Sequence, residues 1–448
     1  MRSRLAATSR TLAVETLRRV LEKGHHAAPL IGELSRSLPA ADQHLLRELV
    51  LGVLRWRSAL DAEIAGTCRL PMEELAPNLR EIMEVALYQL RHLDRVPAYA
   101  AVSEAVEHAR ASGGEGAAKL VNGVLRGILR QPLPPESAGD SSAALARNFS
   151  HPDFLVERWL ARFGLDQTRR VLAADNAPSH IDLLANPRKT ARETLRSTLT
   201  GDGVETELSP LAPLGLTVLS GNPLRSPLLA EGHFSIQDIG SQLLGLLLPE
   251  GELLIDLAAA PGGKSISAVA HGRSRRSLAV DRSSRRLLMV AQNARRLGFL
   301  EVSPVAGDFR VPPLPEGRFD RVLLDAPCSG TGTLRKNPEI RYRISAEAIE
   351  RLSRAQEEAL RAASRLLSPG GFLLYSTCSL EQEENERVVE RVRRDAPELR
   401  FAPLEVAPEL RPFTNGARFR LFPNDRTDGF TAHLLRRDSS PAAVSGEL

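Results

Sequence analysis

Two cysteines, three aspartates and one glycine-rich loop stand at the ends of short apolar runs in the second half of this 448-residue chain. ELLIDL (252–257) leads into AAAPGGKS (258–265), SLAV (277–280) into Asp281, and VSPVAG (302–307) into Asp308. RVLLD closes on Asp325 and the loop APCSGTG with Cys328, and FLLYST (372–377) runs into Cys378. Runs of this length read as buried strands. Between them GKSISAVAHG, SRRLLMVAQNARRLG and AIERLSRAQEEALRAASRLL carry helical periodicity. Strands alternating with helices predict a parallel, doubly wound α/β sheet. In such sheets ligands sit beyond the carboxyl ends of the strands, where all of these residues fall.

The chemistry on offer follows from residue type. Glycines in the 258–265 loop let a backbone approach a ligand closely, and the helix that follows presents free N–H groups. Asp281, at the end of the second strand, is placed to take two ribose hydroxyls, which describes a nucleoside-containing cofactor. A P-loop is the nearest rival, because AAAPGGKS is one substitution from GxxxxGK[ST]. Ala258 stands where its first glycine belongs, and Pro261 lacks an N–H where phosphates need one. A nicotinamide fingerprint, GxGxxG, is absent. Cys328 and Cys378, each in a polar turn on the ligand edge, fit nucleophiles or proton handlers better than packing. Cys68, in the helical AGTCRL, reads as a small buried hydrophobe. With no CxxC and no histidine cluster, no metal site is expected. Three cysteines in all exclude a disulfide scaffold.

Other elements must position these residues. Residues 1–131 read as helices, with apolar spacing of three and four in LLRELVLGVLRW (45–56), LREIMEVALYQL (79–90) and AYAAVSEAVEHAR (98–110). The opening MRSRLAATSRTLAVETLRRV reads as the first amphipathic helix (Leu5, Leu12, Ala13, Leu17, Val20). Breaks are expected at Pro71, Pro77, Pro97 and ASGGEG (111–116), and QPLPPESAGDSS (131–142) reads as a linker. HPDFLVERWLARFG (151–164) predicts a helix stopped at Gly164, IDLLANPR (181–188) a strand, and ARETLRSTLTGDG a helix. The expected division is therefore a helical domain at 1–140, a small α+β connector at 141–235, an α/β domain at 236–437 and a disordered tail at 438–448.

Composition is that of an ordinary globular chain, 42% hydrophobic and 25% charged, and no apolar run is long enough for a membrane span. The net charge is +4. Residues 1–140 are balanced at 18 basic against 17 acidic side chains, whereas 251–300 hold nine against three. Lysine is scarce, five against 54 arginines, so Lys264 in the glycine loop is notable. A basic balance permits an RNA partner without demanding one.

DLAAAPGGK, DAPCSGTGTLRKNPEIRYR and YSTCSLEQEENE resemble the signature segments of S-adenosylmethionine-dependent RNA cytosine-5 methyltransferases. Across nearly all of residues 5–437 the chain resembles the RsmB (Sun/Fmu) family of bacterial 16S ribosomal RNA methyltransferases. AVSEAVEHAR with VNGVLRGILR resembles its NusB-like RNA-binding domain, and SHPDFLVERW, FSIQDIGSQLL and RTDGFTAHLLRR match further. One departure is Ala258, where the family's loop usually opens with cysteine.

The resemblance implies a Rossmann-like methyltransferase domain behind an all-α NusB-like domain and a small α+β connector. It implies S-adenosylmethionine as cofactor, 16S ribosomal RNA as partner, and a cytoplasmic enzyme, read here as a monomer. Cys378 is implied as the nucleophile at cytosine carbon 6, Asp325 as the group at nitrogen 3, and Cys328 as the aid to release. Ala258, Ala259, Ala260, Pro261, Gly262, Gly263 and Lys264 are expected around the methionine and ribose of the cofactor, with Asp281 on the ribose, Asp308 at the adenine and Asp325 near the methyl. Arg286 is expected on the cofactor side. Arg335, Lys336, Arg341 and Arg343 are expected to hold RNA phosphates, and Tyr342 to stack on a base. The alternatives are a tRNA substrate within the same chemistry, a P-loop NTPase, and a non-catalytic RNA-binding assembly factor.

Overall fold

The computed structural model describes residues 7–131 and 139–439; Leu5, most of the expected 131–142 linker and the tail beyond Ser439 lie outside them. The chain packs as two compact units. One is Met1–Ala177 with Leu334–Arg343, and the other is Pro178–Thr333 with Ile344–Leu448.

The first unit is helical: α1 (Ser9–Lys23), α2 (Ala27–Leu34), α3 (Ala40–Thr67), α4 (Pro77–His92), α5 (Ala98–Leu129), α6 (Ser142–Phe149) and α7 (Asp153–Asn176). Thr8 caps α1 by accepting from the Thr11 amide, and Gly24 closes it in the left-handed region. The ASGGEG run breaks α5 as expected, at Gly114 (φ 79°), and a second half follows directly. Gly164 (φ 76°) stops the first half of α7 as expected, and a second half follows directly. Leu17, Leu46, Leu49, Leu54, Leu60, Met83, Leu87 and Leu125 fill one apolar core, and Cys68, just past α3, packs on its margin.

α6 and α7, beyond the expected boundary at residue 140, pack in the same compact unit as these helices. What remains of the connector is a four-stranded antiparallel sheet: β1 (Asp182–Ala185), β2 (Glu205–Leu208), β3 (Gly215–Ser220) and β4 (Phe234–Ile236), in the order β2-β3-β1-β4. α8 (Arg192–Gly201) covers it with Leu195 and Leu199, and α9 (Pro227–Ala230) is a single turn before β4.

The rest of the second unit is one large sheet. Its strands are β5 (Gly251–Leu257), β6 (Ser274–Asp281), β7 (Val302–Ala306), β8 (Phe319–Asp325), β9 (Leu367–Thr377), β10 (Leu399–Phe401), β11 (Thr414–Asn415), β12 (Arg418–Leu421) and β13 (Phe430–Arg437). The order is β11-β12-β13-β9-β8-β5-β6-β7, with β10 also on β13. Strands β5 to β9 are mutually parallel, and β13 is antiparallel to β9. The helices are α10 (Ile239–Leu247), α11 (Gly263–Ala270), α12 (Ser284–Leu297), α13 (Ala346–Leu366) and α14 (Glu386–Asp395). Side chains alternate across the sheet: Ile255, Val322, Leu324, Leu373 and Tyr375 pack toward α13 and α14, while Leu254, Leu323 and Leu374 pack toward α10. The central strands β5, β8 and β9 are thus covered on both faces, which is why their apolar runs stood out in the sequence, whereas β7 at the sheet edge is largely exposed.

One expectation fails here for a clear physical reason. Residues 334–343, read as an RNA-contacting run, form part of the helical unit. Arg335 and Arg341 are 1% and 3% exposed. Arg341 donates to the carbonyls of Arg55 (2.6 Å), Ser150 (3.0 Å) and Asp175 (3.1 Å) and to Asn176 Oδ1 (2.9 Å). The Tyr342 hydroxyl donates to Leu54 O at 2.7 Å, Arg343 donates to the carbonyls of Val20 and His25, and Arg55 donates to Arg335 O. Guanidinium groups spent on buried carbonyls cannot also hold phosphates, and a ring tied to Leu54 O by its hydroxyl with Arg57 over its face is not free to stack on a base. Lys336, in the same clasp, is half-buried.

Candidate active site

The strand-end residues converge as their spacing required. After β5 the chain turns through Ala258 at φ 63°, a left-handed conformation that costs any residue with a side chain roughly 1–2 kcal/mol. The Ala260–Pro261 peptide is cis, and Gly262 (φ 97°) opens α11. A β-carbon on Gly262 would meet Val290 of α12 at 3.1 Å as well as an unfavourable φ, so glycine is needed there. Asn293 donates to Pro261 O at 3.2 Å and Arg286 to Ala260 O at 2.5 Å, fixing the loop from outside.

Asp281 is 4% exposed at the end of β6. Its Oδ1 accepts from the Ser283 amide at 2.9 Å, and its Oδ2 lies 3.4 Å from Arg286 Nη1. Arg286 therefore ties the glycine loop to the β6 end. Asp308 follows β7 and is gripped by Arg310, at 2.8 Å and 3.1 Å from its side chain and 2.9 Å from its amide. Those hydrogen bonds from Arg310 lower its carboxyl to about 2.

Asp325 ends β8 with both oxygens engaged: Oδ1 accepts from Ser376 Oγ at 2.8 Å, and Oδ2 pairs with Lys264 Nζ at 2.7 Å. Burial alone would lower the Lys264 ammonium. Asp325, Asp256 and Cys378 outweigh it and raise the group above its ordinary value. Asp256, fully buried beneath, accepts from Ser265 Oγ at 2.6 Å, and burial pushes its carboxyl up to about 7.

The two thiols meet. Cys328 Sγ lies 3.2 Å from Cys378 Sγ, and both are free. The hydrogen bond to Cys378 raises the Cys328 thiol well above its ordinary value; burial and the charges of Cys378, Glu384 and Asp325 add to that. The Cys328 turn is held against the Cys378 turn at Gly332, whose amide donates to Cys378 O at 2.9 Å. A β-carbon there would lie 2.5 Å from Gly429 O and 2.9 Å from Cys378 O, so no other residue fits.

A cofactor carrying an amino-acid moiety fits the loop. Gln237, 8% exposed, has neither its amide nitrogen nor its amide oxygen paired, and it faces the position a β-carbon on Gly263 would take, at 3.4 Å and 3.8 Å. An orphaned donor and acceptor side by side beside a glycine cradle match a ligand that offers both. Sequence reasoning missed Gln237 although it stands in FSIQDIGSQLL. It also missed Ser376, Asp256 and Glu384. Glu384 and Asn385 stand four residues before Val388 and Val389 on the buried face of α14, and that spacing was the available signal.

A doubly wound sheet with a glycine loop, an acid after its second strand and a paired thiol site defines an S-adenosylmethionine-dependent methyltransferase. The sequence matches the family described as 16S rRNA methyltransferase RsmB/F over residues 244–436, the NusB family over 7–130, and an RsmF/B-like ferredoxin-like domain over 151–225. Ribosomal RNA small subunit methyltransferase B of Pasteurella multocida is 32% identical over 444 residues, covering 96% of each chain. The protein of that name from Klebsiella pneumoniae (strain MGH 78578) is 34% identical, covering 85% of this chain and 88% of its own. Among solved structures, PH0851 matches 98% of this chain and 100% of its own with a TM-score of 0.79 at 26% identity. A methyltransferase homolog protein from Pyrococcus horikoshii matches 67% and 100% with a TM-score of 0.55, also at 26% identity. This chain belongs to the RsmB/F family of small-subunit ribosomal RNA methyltransferases. Its substrate is RNA and its cofactor S-adenosylmethionine. Among the described residues no helix is long and apolar enough to cross a membrane.

Proposed function

We propose that the enzyme methylates carbon 5 of a cytidine in 16S ribosomal RNA through a covalent bond between Cys378 and carbon 6. The observation that carries this reading is the pair of free thiols 3.2 Å apart beside the Lys264–Asp325 ion pair. Carbon 5 of cytosine is a poor nucleophile on its own. When Cys378 adds to carbon 6, the electrons of the 5,6 double bond pass into the ring, the proton given up by the Cys378 thiol reaches nitrogen 3 by way of Asp325, and carbon 5 becomes nucleophilic. Asp325 holds the hydrogen on nitrogen 3. The target base must leave its stack to present its face to sulfur.

When bound, S-adenosylmethionine supplies an electrophilic methyl group. The residues that would hold it are the 258–264 loop, Asp281, Asp308 and, on its orphaned amide, Gln237. Arg286 acts from outside by tying the loop to Asp281. For turnover, nitrogen 3 returns its proton by way of Asp325, the hydrogen on carbon 5 leaves as a proton and its electron pair restores the double bond. The carbon 6–sulfur pair returns to Cys378. Cys328 serves this release, either as the thiolate base that takes the carbon 5 proton or through another base. The setting proposed is the cytoplasm.

The test is a covalent trap. Cys328→Ala, incubated with S-adenosylmethionine and unmodified small-subunit RNA, is expected to give a protein–RNA band on a denaturing gel. Cys328→Ala/Cys378→Ala is expected to give none, and Cys378→Ala alone to lose methyl transfer by at least about 10³-fold. A band that survives removal of Cys378 overturns the nucleophile. Transfer to tRNA but not to small-subunit RNA overturns the substrate.

A further inference from the structure

The carboxylate of Glu384 touches neither sulfur, yet the turn that carries Cys328 is built on it. Glu384 is fully buried. Its Oε1 accepts from the Ser329 amide at 2.8 Å and from Gln356 Nε2 at 3.0 Å, and its Oε2 accepts from the Ser329 hydroxyl. The same Gln356 nitrogen donates to Pro327 O at 2.9 Å. Both residues flanking Cys328 are therefore fixed by one Glu384–Gln356 unit. The Tyr375 hydroxyl holds the unit in turn, donating to Glu384 O at 2.6 Å.

Other bonds tie this turn to the Cys378 turn. Ser329 Oγ lies 3.1 Å from Ser379 Oγ, and Thr331 Oγ1 accepts from the Leu380 amide at 2.9 Å. Asn385, next in the chain after Glu384, donates to the carbonyls of Ser379 and Glu381 at 3.0 Å and 2.7 Å.

A carboxylate buried without need costs several kcal/mol, so a network that tolerates one must gain from it. We infer that Glu384 is the positioning residue for Cys328: it takes both donors of Ser329 and so sets the distance between the two thiols. This inference rests on the proposed role of Cys328 in release. The charge of Glu384 works in the same direction, since it helps to raise the Cys328 thiol and so makes its thiolate a stronger base for the proton on carbon 5. Burial pushes Glu384 itself upward, and the Ser329, Ser379 and Gln356 donors oppose that.

A residue that sets the release thiol should leave addition intact and slow the escape of product RNA. The experiment measures, for full-length wild type, Cys328→Ala, Glu384→Gln and Glu384→Ala, the covalent protein–RNA adduct per methyl group transferred. A misplacement of about 1 Å changes a step by on the order of 10–100-fold. Glu384→Ala should therefore raise the ratio at least about tenfold, toward that of Cys328→Ala. Glu384→Gln, which keeps an oxygen for the Ser329 amide, should lie between wild type and Glu384→Ala.

Loss of folded protein lowers adduct and product together and leaves the ratio unmoved, so the ratio separates positioning from mere stability. A wild-type ratio in a soluble Glu384→Ala overturns the inference and leaves the cysteine chemistry standing. Absence of adduct in Cys328→Ala overturns both. Should Glu384→Ala be insoluble, Ser329→Ala and Glu384→Gln decide, and wild-type ratios in both overturn the inference.

Discussion

The segment from Asp325 to Arg343 is continuous in sequence and divided in space. Residues 325–333 end β8 and turn Cys328 toward Cys378, while residues 334–343 form a clasp inside the helical unit. Both halves are rich in residues that could do chemistry. The difference lies in where their hydrogen bonds go. In the first half, side chains bind side chains: Asp325 with Ser376 and Lys264, and Ser329 with Ser379 and Glu384. In the second half, side chains bind backbone carbonyls: Arg341 with Arg55, Ser150 and Asp175, and Tyr342 with Leu54. A donor that completes a buried carbonyl is satisfying the fold, and its removal leaves the acceptor without water or protein. The partly exposed Lys264–Asp325 pair can be exchanged for a substrate, while the buried Ser329–Glu384 pair holds the Cys328 turn.

The contrast can be broken in graded ways. The largest stability effect belongs to Arg341→Ala, which leaves at least three buried carbonyls short of a donor. We expect a loss of roughly 3–5 kcal/mol from the helical unit, read by chemical denaturation, with cofactor affinity unchanged. A loss under about 1 kcal/mol would mean the clasp is not structural. Next comes Asp256, whose carboxyl keeps its proton up to about 7, whereas an unfolded aspartate loses it near pH 4. Between those values the unfolded chain releases a proton that the folded one retains, so stability falls as pH rises through that window and levels off above it. Asp256→Asn should flatten this fall, by on the order of 2–3 kcal/mol between pH 4.5 and pH 8. An unchanged slope would refute it. The smallest effect is on Gln237. Gln237→Ala should weaken S-adenosylmethionine binding about tenfold by calorimetry, about 1.4 kcal/mol, with the folding transition unmoved. Unaltered affinity would remove Gln237 from the cofactor site.

Much of the site was legible before any coordinates. Buried parallel strands must be apolar throughout, so their ends mark the ligand edge, and Asp281, Asp308, Asp325, Cys328 and Cys378 all sit there. The helices of residues 1–131 showed in their three-and-four spacing, and Gly164 as a stop showed in its residue type. Illegible residues were those whose role depends on which neighbour burial brings. RKNPEIRYR has the composition of a phosphate-binding run, and nothing local distinguishes it from a clasp. EQEEN offers three acids, and only packing against Ser329 and Gln356 singles out Glu384.

The sequence by itself thus determined the parallel strands of the sheet, the glycine loop and the two thiols, because periodicity and strand-end position are local consequences of backbone geometry, while the antiparallel strands β10 to β13 went unread. Tertiary structure alone decided that α6 and α7 join the helical unit, that three of the segment's expected RNA-binding side chains serve its carbonyls, and that a fully buried glutamate supports the second cysteine. The physical reason is common to all three. A charged or polar side chain has no fixed role until its surroundings settle whether water or protein completes its hydrogen bonds.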